Sequence, residues 1–163
     1  MKHILVPTSV INVMKVRAAR QTDAIWELLL EADPDIEKVK GYLDSGEVYV
    51  ATEKNEILGV IVIELIGKDI VEVKNLAVNK LYRRRGVASH LLTSIKNKVK
   101  QETPDCMIYV KTANTSYPAL ALYERQGFVL SDIVENYFLT HYEEPIFENG
   151  QQATDQYILI YQS

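Results

Sequence analysis

The spacing of apolar positions changes several times along this chain, and each change marks a new element. Met14 to Ala18 reads as a short strand. From Thr22, a helix-capping residue, apolar positions recur at helical spacing through Ile25, Leu28, Leu29 and Ala32, which predicts a helix ending there. Asp33-Pro34 is a second helix-start signal, and Ile36, Val39 and Leu43 carry that helix to Ser45-Gly46. The period then shortens to that of strands. Glu47 to Thr52 and Ile57 to Ile66 flank the turn Glu53-Lys54-Asn55-Glu56, and Gly67-Lys68-Asp69 leads into a third strand, Ile70 to Val78. After Arg85 the helical period returns, with Ala88, Leu91, Leu92, Ile95 and Val99 on one stripe and Lys96, Lys98 and Lys100 largely outside it. Met107 to Thr112 is the next strand. Ser116-Tyr117-Pro118 opens a helix that Gly127 closes, and Phe128 to Tyr142 and Tyr157 to Tyr161 supply two late strands joined by an acidic loop.

This order predicts a mixed α/β (α+β) architecture, an antiparallel meander that acquires a helical crossover in its middle. It has neither the strict alternation of a doubly wound fold nor the Gly-x-Gly-x-x-Gly turn of one. A chain of 163 residues suits one domain with a sizeable core. We place that domain at 14–163 and treat 1–13 as an N-terminal extension. Its Ile4-Leu5-Val6 and Val10-Ile11 suit an edge strand, a dimer contact or a loose arm, so monomer and homodimer both stay open.

Composition narrows the classes. The apolar start of the chain is short, is broken by Pro7 and lacks a small-residue cleavage site, and no apolar run is long enough to span a bilayer. The expectation is a cytoplasmic protein without a membrane partner. Cys106 is the single cysteine, so no internal disulfide forms; at the start of an apolar strand it reads as a small buried hydrophobe. Asp and Glu outnumber Lys and Arg by 22 to 18, a net charge of −4 that disfavours a nucleic-acid partner and suits a cationic substrate. His90 reads as a helix-surface residue, His3 and His141 show no metal-ligand spacing with Asp, Glu or Cys, and we expect no metal.

The chemistry concentrates in Leu76-Ala77-Val78-Asn79-Lys80-Leu81-Tyr82-Arg83-Arg84-Arg85-Gly86-Val87-Ala88-Ser89, where a strand delivers its chain to the N-terminus of an amphipathic helix. The first N–H groups of a helix have no intrahelical partner, and the positive end of the dipole lies beside them, so such a start binds phosphate. Gly86 and Ala88 let a ligand approach the backbone, and three arginines raise the local potential. A lone basic triplet would be only a solvated surface; the Gly, Ala and helix that follow argue for a ligand turn.

Arg83-Arg84-Arg85-Gly86-Val87-Ala88 resembles the [Gln/Arg]-x-x-Gly-x-[Gly/Ala] signature of the GNAT superfamily of acyl-CoA N-acyltransferases. The run Pro118-Ala119-Leu120-Ala121-Leu122-Tyr123-Glu124-Arg125-Gln126-Gly127-Phe128 resembles that superfamily's second signature, an Ala-x-x-[Leu/Phe]-Tyr-x-x-x-Gly-Phe helix and strand start. The predicted element order from Met14 to Tyr161 matches as well. The resemblance implies a central, mostly antiparallel mixed sheet of roughly six or seven strands with about four flanking helices. It implies acetyl-CoA as cosubstrate, its pyrophosphate held by Arg83, Arg84, Arg85, Gly86, Val87, Ala88 and Ser89, and its pantetheine running beside the backbone of Leu76, Ala77 and Val78 like an added strand. Where the family often has an Asn contacting the pantetheine this chain has Ser116, and Asn114 lies two residues earlier; both are candidates, with helix capping as the competing reading.

For the chemistry, the resemblance points to Tyr123, a phenol placed to protonate the departing thiolate; the competing reading is a buried core aromatic beside Leu120 and Leu122. Glu72, on the strand before Ala77, is the candidate base that deprotonates the amine through water, with a solvent-facing strand carboxylate as its alternative. The C-terminal segment from Asn136 to Asp155 mixes aromatic and acidic residues and resembles that of bacterial family members likened to aminoglycoside 6'-N-acetyltransferases, which suits a polyamine-like or aminoglycoside-like acceptor, with a solvated acidic hairpin loop as the competing reading. The leading expectation is therefore acetyl transfer to a primary amine of a small molecule by direct attack in a ternary complex. A protein or peptide N-acetyltransferase and a non-catalytic acyl-CoA-binding regulatory module are the alternatives.

Overall fold

In the computed structural model, which describes residues 13–162, seven strands form one mixed sheet. The predicted extension 1–13 lies outside the described residues except for Val13. The elements run β1 (Lys15–Ala18), α1 (Trp26–Ala32), α2 (Ile36–Ser45), β2 (Glu47–Glu53), β3 (Glu56–Ile66), β4 (Ile70–Val78), α3 (Val87–Glu102), β5 (Met107–Ala113), α4 (Tyr117–Arg125), β6 (Val129–Val134), α5 (Tyr137–His141), β7 (Phe147–Glu148), β8 (Gln151–Gln152) and β9 (Gln156–Tyr161). Strand order across the sheet is β1-β2-β3-β4-β5-β9-β6, and β7-β8 is a separate hairpin. β4 and β5 run parallel over Ile70–Val73 and Met107–Val110, as expected for strands joined by a helical crossover, whereas β1-β2, β5-β9 and β6-β9 are antiparallel.

Backbone contacts divide the described residues into two compact units, 13–62 with Asn75–Leu91, and Ile63–Lys74 with 92–162. In the first unit, Leu29 and Val39 from the tandem helices pack with Val50, Val60, Val62 and Ala77. Asn75 sits within this unit, its Nδ2 donating to Leu29 O at 3.0 Å and Tyr42 Oη at 2.8 Å, so the middle of α1 and the C-terminal half of α2 are tied to β4. Gly59 is required here by close approach. A Cβ at that position would lie 2.8 Å from Val87 Cγ1 and 2.9 Å from the Ala77 carbonyl oxygen. In the second unit, Ile95, Ile108, Val110, Phe128 and Leu159 are buried, and Phe128 packs between Tyr123 and Tyr161 with ring centroids 5.6 and 5.5 Å away.

Two predicted boundaries move, and the loop between the late strands gains structure of its own. Helix α1 begins at Trp26 rather than after Thr22, because the Asp23 carboxylate is taken by the Arg17 guanidinium at 2.8 and 3.0 Å and by the Arg20 N–H at 2.7 Å, which holds residues 20–23 in a turn. The predicted strand Phe128–Tyr142 stops at Val134. Asn136 adopts φ 57°, a left-handed conformation that no strand continues through, and the chain turns into α5. That helix is the fifth where about four were expected. The acidic loop also contains the hairpin β7-β8, whose turn Asn149-Gly150 has φ 52° and 75°; Asn-Gly is the favoured pair for a two-residue hairpin turn, a signal present in the sequence and unused there.

Candidate active site

The turn from β4 to α3 has the backbone geometry of a candidate anion site. Asn79 accepts the Leu81 N–H at 3.0 Å through its side chain and starts a single 3-10 turn over Lys80–Tyr82. Arg84 and Gly86 then both adopt positive φ, 65° and 79°, on either side of Arg85. Alternation of this kind swings successive N–H groups toward one side and makes a concave anion-binding turn. The first intrahelical bond of α3 runs from His90 N to Gly86 O at 2.9 Å, so the N–H groups of Val87, Ala88 and Ser89 precede the hydrogen-bonded ladder. Arg83, Arg84, Arg85 and Gly86 are exposed, Ala88 and Ser89 are half-buried, and Val87 is buried with its side chain against Gly59. Leu76 and Val78 are half-buried and Ala77 is buried.

The three arginines are not equivalent. Arg83 donates to Glu31 on α1 at 2.7 Å, with both side chains largely solvated. A pair of this exposure is worth at most about 1 kcal/mol and is readily exchanged for a phosphate. Arg85 lies 5.6 Å from the centroid of the Tyr82 ring, whose hydroxyl donates to Glu56. Arg84 has no ion pair or ring contact among the described residues, which leaves its charge uncommitted.

In the second unit Tyr123 lies on α4, only 7% exposed, with its ring edge-on to Phe128. Its hydroxyl makes no hydrogen bond with a described residue, and burial alone pushes its pKa up to about 12. The phenol therefore stays protonated at working pH, with its proton uncommitted. The Gly127-Phe128 corner beyond it is fixed by Gly127 at φ 91° against the Tyr161 ring and by Lys96, which donates to Gln126 O at 2.9 Å with its ammonium 4.8 Å from the Tyr161 ring centroid.

Glu72 is not the solvent-facing carboxylate held open as an alternative: it is 8% exposed. Lys74 bonds one of its oxygens, and the Lys111 ammonium on β5 lies 3.0 Å from the other. Burial works to raise its pKa, but the two ammonium groups outweigh it and hold Glu72 below its ordinary value of 4.5. Such a carboxylate is a weak proton acceptor. Because folding lowers this pKa, the ionised cluster stabilises the fold above pH 4.5, and that contribution disappears as the pH falls below it. Melting temperature measured against pH is expected to fall on the acid side in the wild type, and Glu72→Gln is expected to flatten that limb while lowering stability at pH 7. An unchanged acid limb in the variant would assign the acid sensitivity elsewhere.

Asn114 and Ser116, both candidates for the pantetheine, have other partners. The Asn114 side chain bonds Thr154 and Asp155, and Ser116 donates to Glu148 at 2.8 Å. Neither caps a helix through its side chain. Cys106 is buried, as expected, and His90 is exposed on α3.

A mixed sheet in which β4 pairs parallel with β5 and then enters an arginine-rich turn of alternating φ at a helix N-terminus belongs to the class of folds that present a candidate phosphate-binding turn. Residues 44–130 match the family model for an acetyltransferase (GNAT) domain, and the chain belongs to that family of N-acetyltransferases. It is 36% identical over 147 residues to the uncharacterized N-acetyltransferase YvbK of Bacillus subtilis (strain 168), across 88% of this chain and 94% of the relative. Two solved structures resemble it over nearly their full length. A Bacillus subtilis acetyltransferase in complex with CoA has a TM-score of 0.88 and 33% identity, covering 93% of this chain and 99% of the other. A GNAT family acetyltransferase from Elizabethkingia anophelis with acetyl-CoA bound has a TM-score of 0.86 and 34% identity, covering 92% and 98%. Among the described residues no helix is long and apolar enough to cross a membrane.

Proposed function

We propose that this protein transfers the acetyl group of acetyl-CoA to a primary amine of a small-molecule acceptor by direct attack in a ternary complex. The observation that carries the reading is the turn Arg83–Ser89, with positive φ at Arg84 and Gly86 and three helix-start N–H groups after it. The acetyl-CoA and CoA held by the two similar structures support the same donor here. In this reading Arg84 and Arg85 bring charge to the pyrophosphate, Arg83 exchanges Glu31 for it, and the N–H groups of Val87, Ala88 and Ser89 bond its oxygens. The backbone of Leu76, Ala77 and Val78 pairs with the pantetheine amides.

The neutral amine attacks the thioester carbonyl, a C–N bond forms, the C–S bond breaks and the electron pair leaves on sulfur. Tyr123 donates a hydrogen bond to that developing thiolate. The proton lost by the amine nitrogen passes to water, with Glu72 a minor acceptor because two lysines hold it anionic. Holding the two substrates together supplies most of the acceleration, and no protein nucleophile is needed. A small cationic acceptor is favoured by the segment after β6, where Tyr137, Phe138 and Tyr142 stand among Glu135, Glu143 and Glu144.

The test is turnover of acetyl-CoA over spermidine, kanamycin, free amino acids and short peptides, scored by mass of the acetylated product. Acetylation of a polyamine or aminoglycoside is the expected result. Product from peptides alone would move the acceptor to the protein class, and thiol release without any acetylated amine would sink the transfer itself.

A further inference from the structure

The four residues that follow β5 each hold the segment that returns before β9, all within the second unit. The Asn114 backbone N–H donates to Asp155 O at 2.9 Å. Its Oδ1 accepts the N–H groups of Thr154 and Asp155 at 3.0 and 3.2 Å, and its Nδ2 donates to Thr154 Oγ1 at 3.2 Å. Thr115 O accepts Asn149 Nδ2 at 2.9 Å, Ser116 Oγ donates to Glu148 at 2.8 Å, and the Tyr117 hydroxyl donates to Gln151 Oε1 at 2.5 Å. Of the two terminal atoms of the Asn114 amide only the oxygen can accept from the two backbone N–H groups, so the orientation of the side chain is fixed.

The connection runs one step further. Asp155 Oδ1 accepts the Asn136 N–H at 3.0 Å, and Thr154 O accepts the Phe138 N–H at 3.0 Å, so the two residues gripped by Asn114 also hold the start of α5. Asn136 is there at φ 57°, a conformation that needs outside support in a residue with a side chain. Beyond it the Tyr137 ring stacks on His141 at 4.2 Å and the Phe138 ring on Tyr142 at 5.6 Å. The anchor is the carboxyl end of β5, a member of the parallel pair, and ligands of α/β sheets bind outside such ends.

We infer that Asn114 is a positioning residue for the acceptor: it fixes residues 136–155 against the end of β5, and so sets affinity for the amine rather than for acetyl-CoA. This rests on the proposed transfer to a small amine, with the aromatic residues of α5 facing the cation. It departs from the pantetheine contact that the resemblance implied, because the side chain spends its oxygen and one amide hydrogen on this clamp.

Asn114→Ala removes three side-chain hydrogen bonds, whereas Asn114→Asp keeps an oxygen for both backbone N–H groups. With spermidine as the amine, Asn114→Ala is expected to raise the amine KM about 10-fold or more with kcat within about 3-fold, and Asn114→Asp to recover most of the loss. The affinity for acetyl-CoA, measured by calorimetry without amine, should match the wild type in both. Amide hydrogen exchange provides a readout independent of turnover. The N–H groups of Asn136, Phe138, Thr154 and Asp155 should lose protection in Asn114→Ala and regain it in Asn114→Asp. Wild-type protection at those amides in Asn114→Ala overturns the clamp. Weaker acetyl-CoA binding with an unchanged amine KM overturns the acceptor role and returns Asn114 to the pantetheine. If the wild type itself binds no acetyl-CoA, the proposed function fails, and the exchange result still decides the clamp.

Discussion

Tyr123→Phe is expected to lower turnover by ~10²-fold at saturating substrates while the affinity for acetyl-CoA stays within about twofold. The expectation follows from what the substitution leaves intact. The ring is buried and its edge contact with Phe128 does not involve the oxygen, so packing survives. The hydroxyl makes no hydrogen bond with a described residue, so its removal breaks no protein contact, and stability should stay within about 1 kcal/mol of the wild type. Loss of rate without loss of stability is the signature of a group whose work is in the transition state. Because burial pushes the phenol to about 12, it is not the source of any alkaline limb in the rate profile near neutrality. Equal turnover in the variant would reduce Tyr123 to a core aromatic.

Gly59→Ala is expected to lower stability by about 1–3 kcal/mol and to weaken acetyl-CoA binding, although Gly59 lies outside the phosphate turn. The added Cβ meets Val87 Cγ1 at 2.8 Å and the Ala77 carbonyl oxygen at 2.9 Å. Val87 can change rotamer, but the carbonyl belongs to β4 and yields only if the strand moves. Ala77 is in the proposed pantetheine rail and Val87 is the first residue of the helix that presents the cradle, so one methyl group displaces both. Denaturant unfolding and calorimetric titration with acetyl-CoA measure the two effects. A variant as stable as the wild type would show that β3 and β4 tolerate a wider spacing than this packing requires.

Much of the architecture was legible because period and punctuation agree locally. The apolar stripe from Leu91 to Val99 is buried as its spacing predicts, and the strands Ile57–Ile66 and Ile70–Val78 recur as β3 and β4 with at most one residue of difference. The failures have a common cause. Thr22 carries a helix-cap signal, but Arg17 from β1 takes the carboxylate of the neighbouring Asp23 and holds residues 20–23 in a turn, and no local pattern reveals a partner on another element. The strand predicted through Tyr142 has acceptable β propensity, but Asn136 is held in a left-handed turn by Asp155, which lies 19 residues away in sequence.

The same division runs through the candidate site. The residue types of the arginine-rich turn, the helix behind it and the Tyr123 helix could be read directly, because an anion cradle at a helix start is made of consecutive backbone N–H groups and needs only local sequence. The sequence by itself thus determined the family, and it supplied the candidates for the donor's anchoring segment and for the phenol. The tertiary structure decided which charges are free. Arg83 is drawn to Glu31, Arg84 stays open, and Glu72 is held as a carboxylate between Lys74 and Lys111. It also decided that Asn114 and Ser116 face the returning segment. The reason is physical: the availability of a charge or a hydrogen bond depends on what lies within about 3 Å of it, and residues far apart in the chain settle that only once they have folded together.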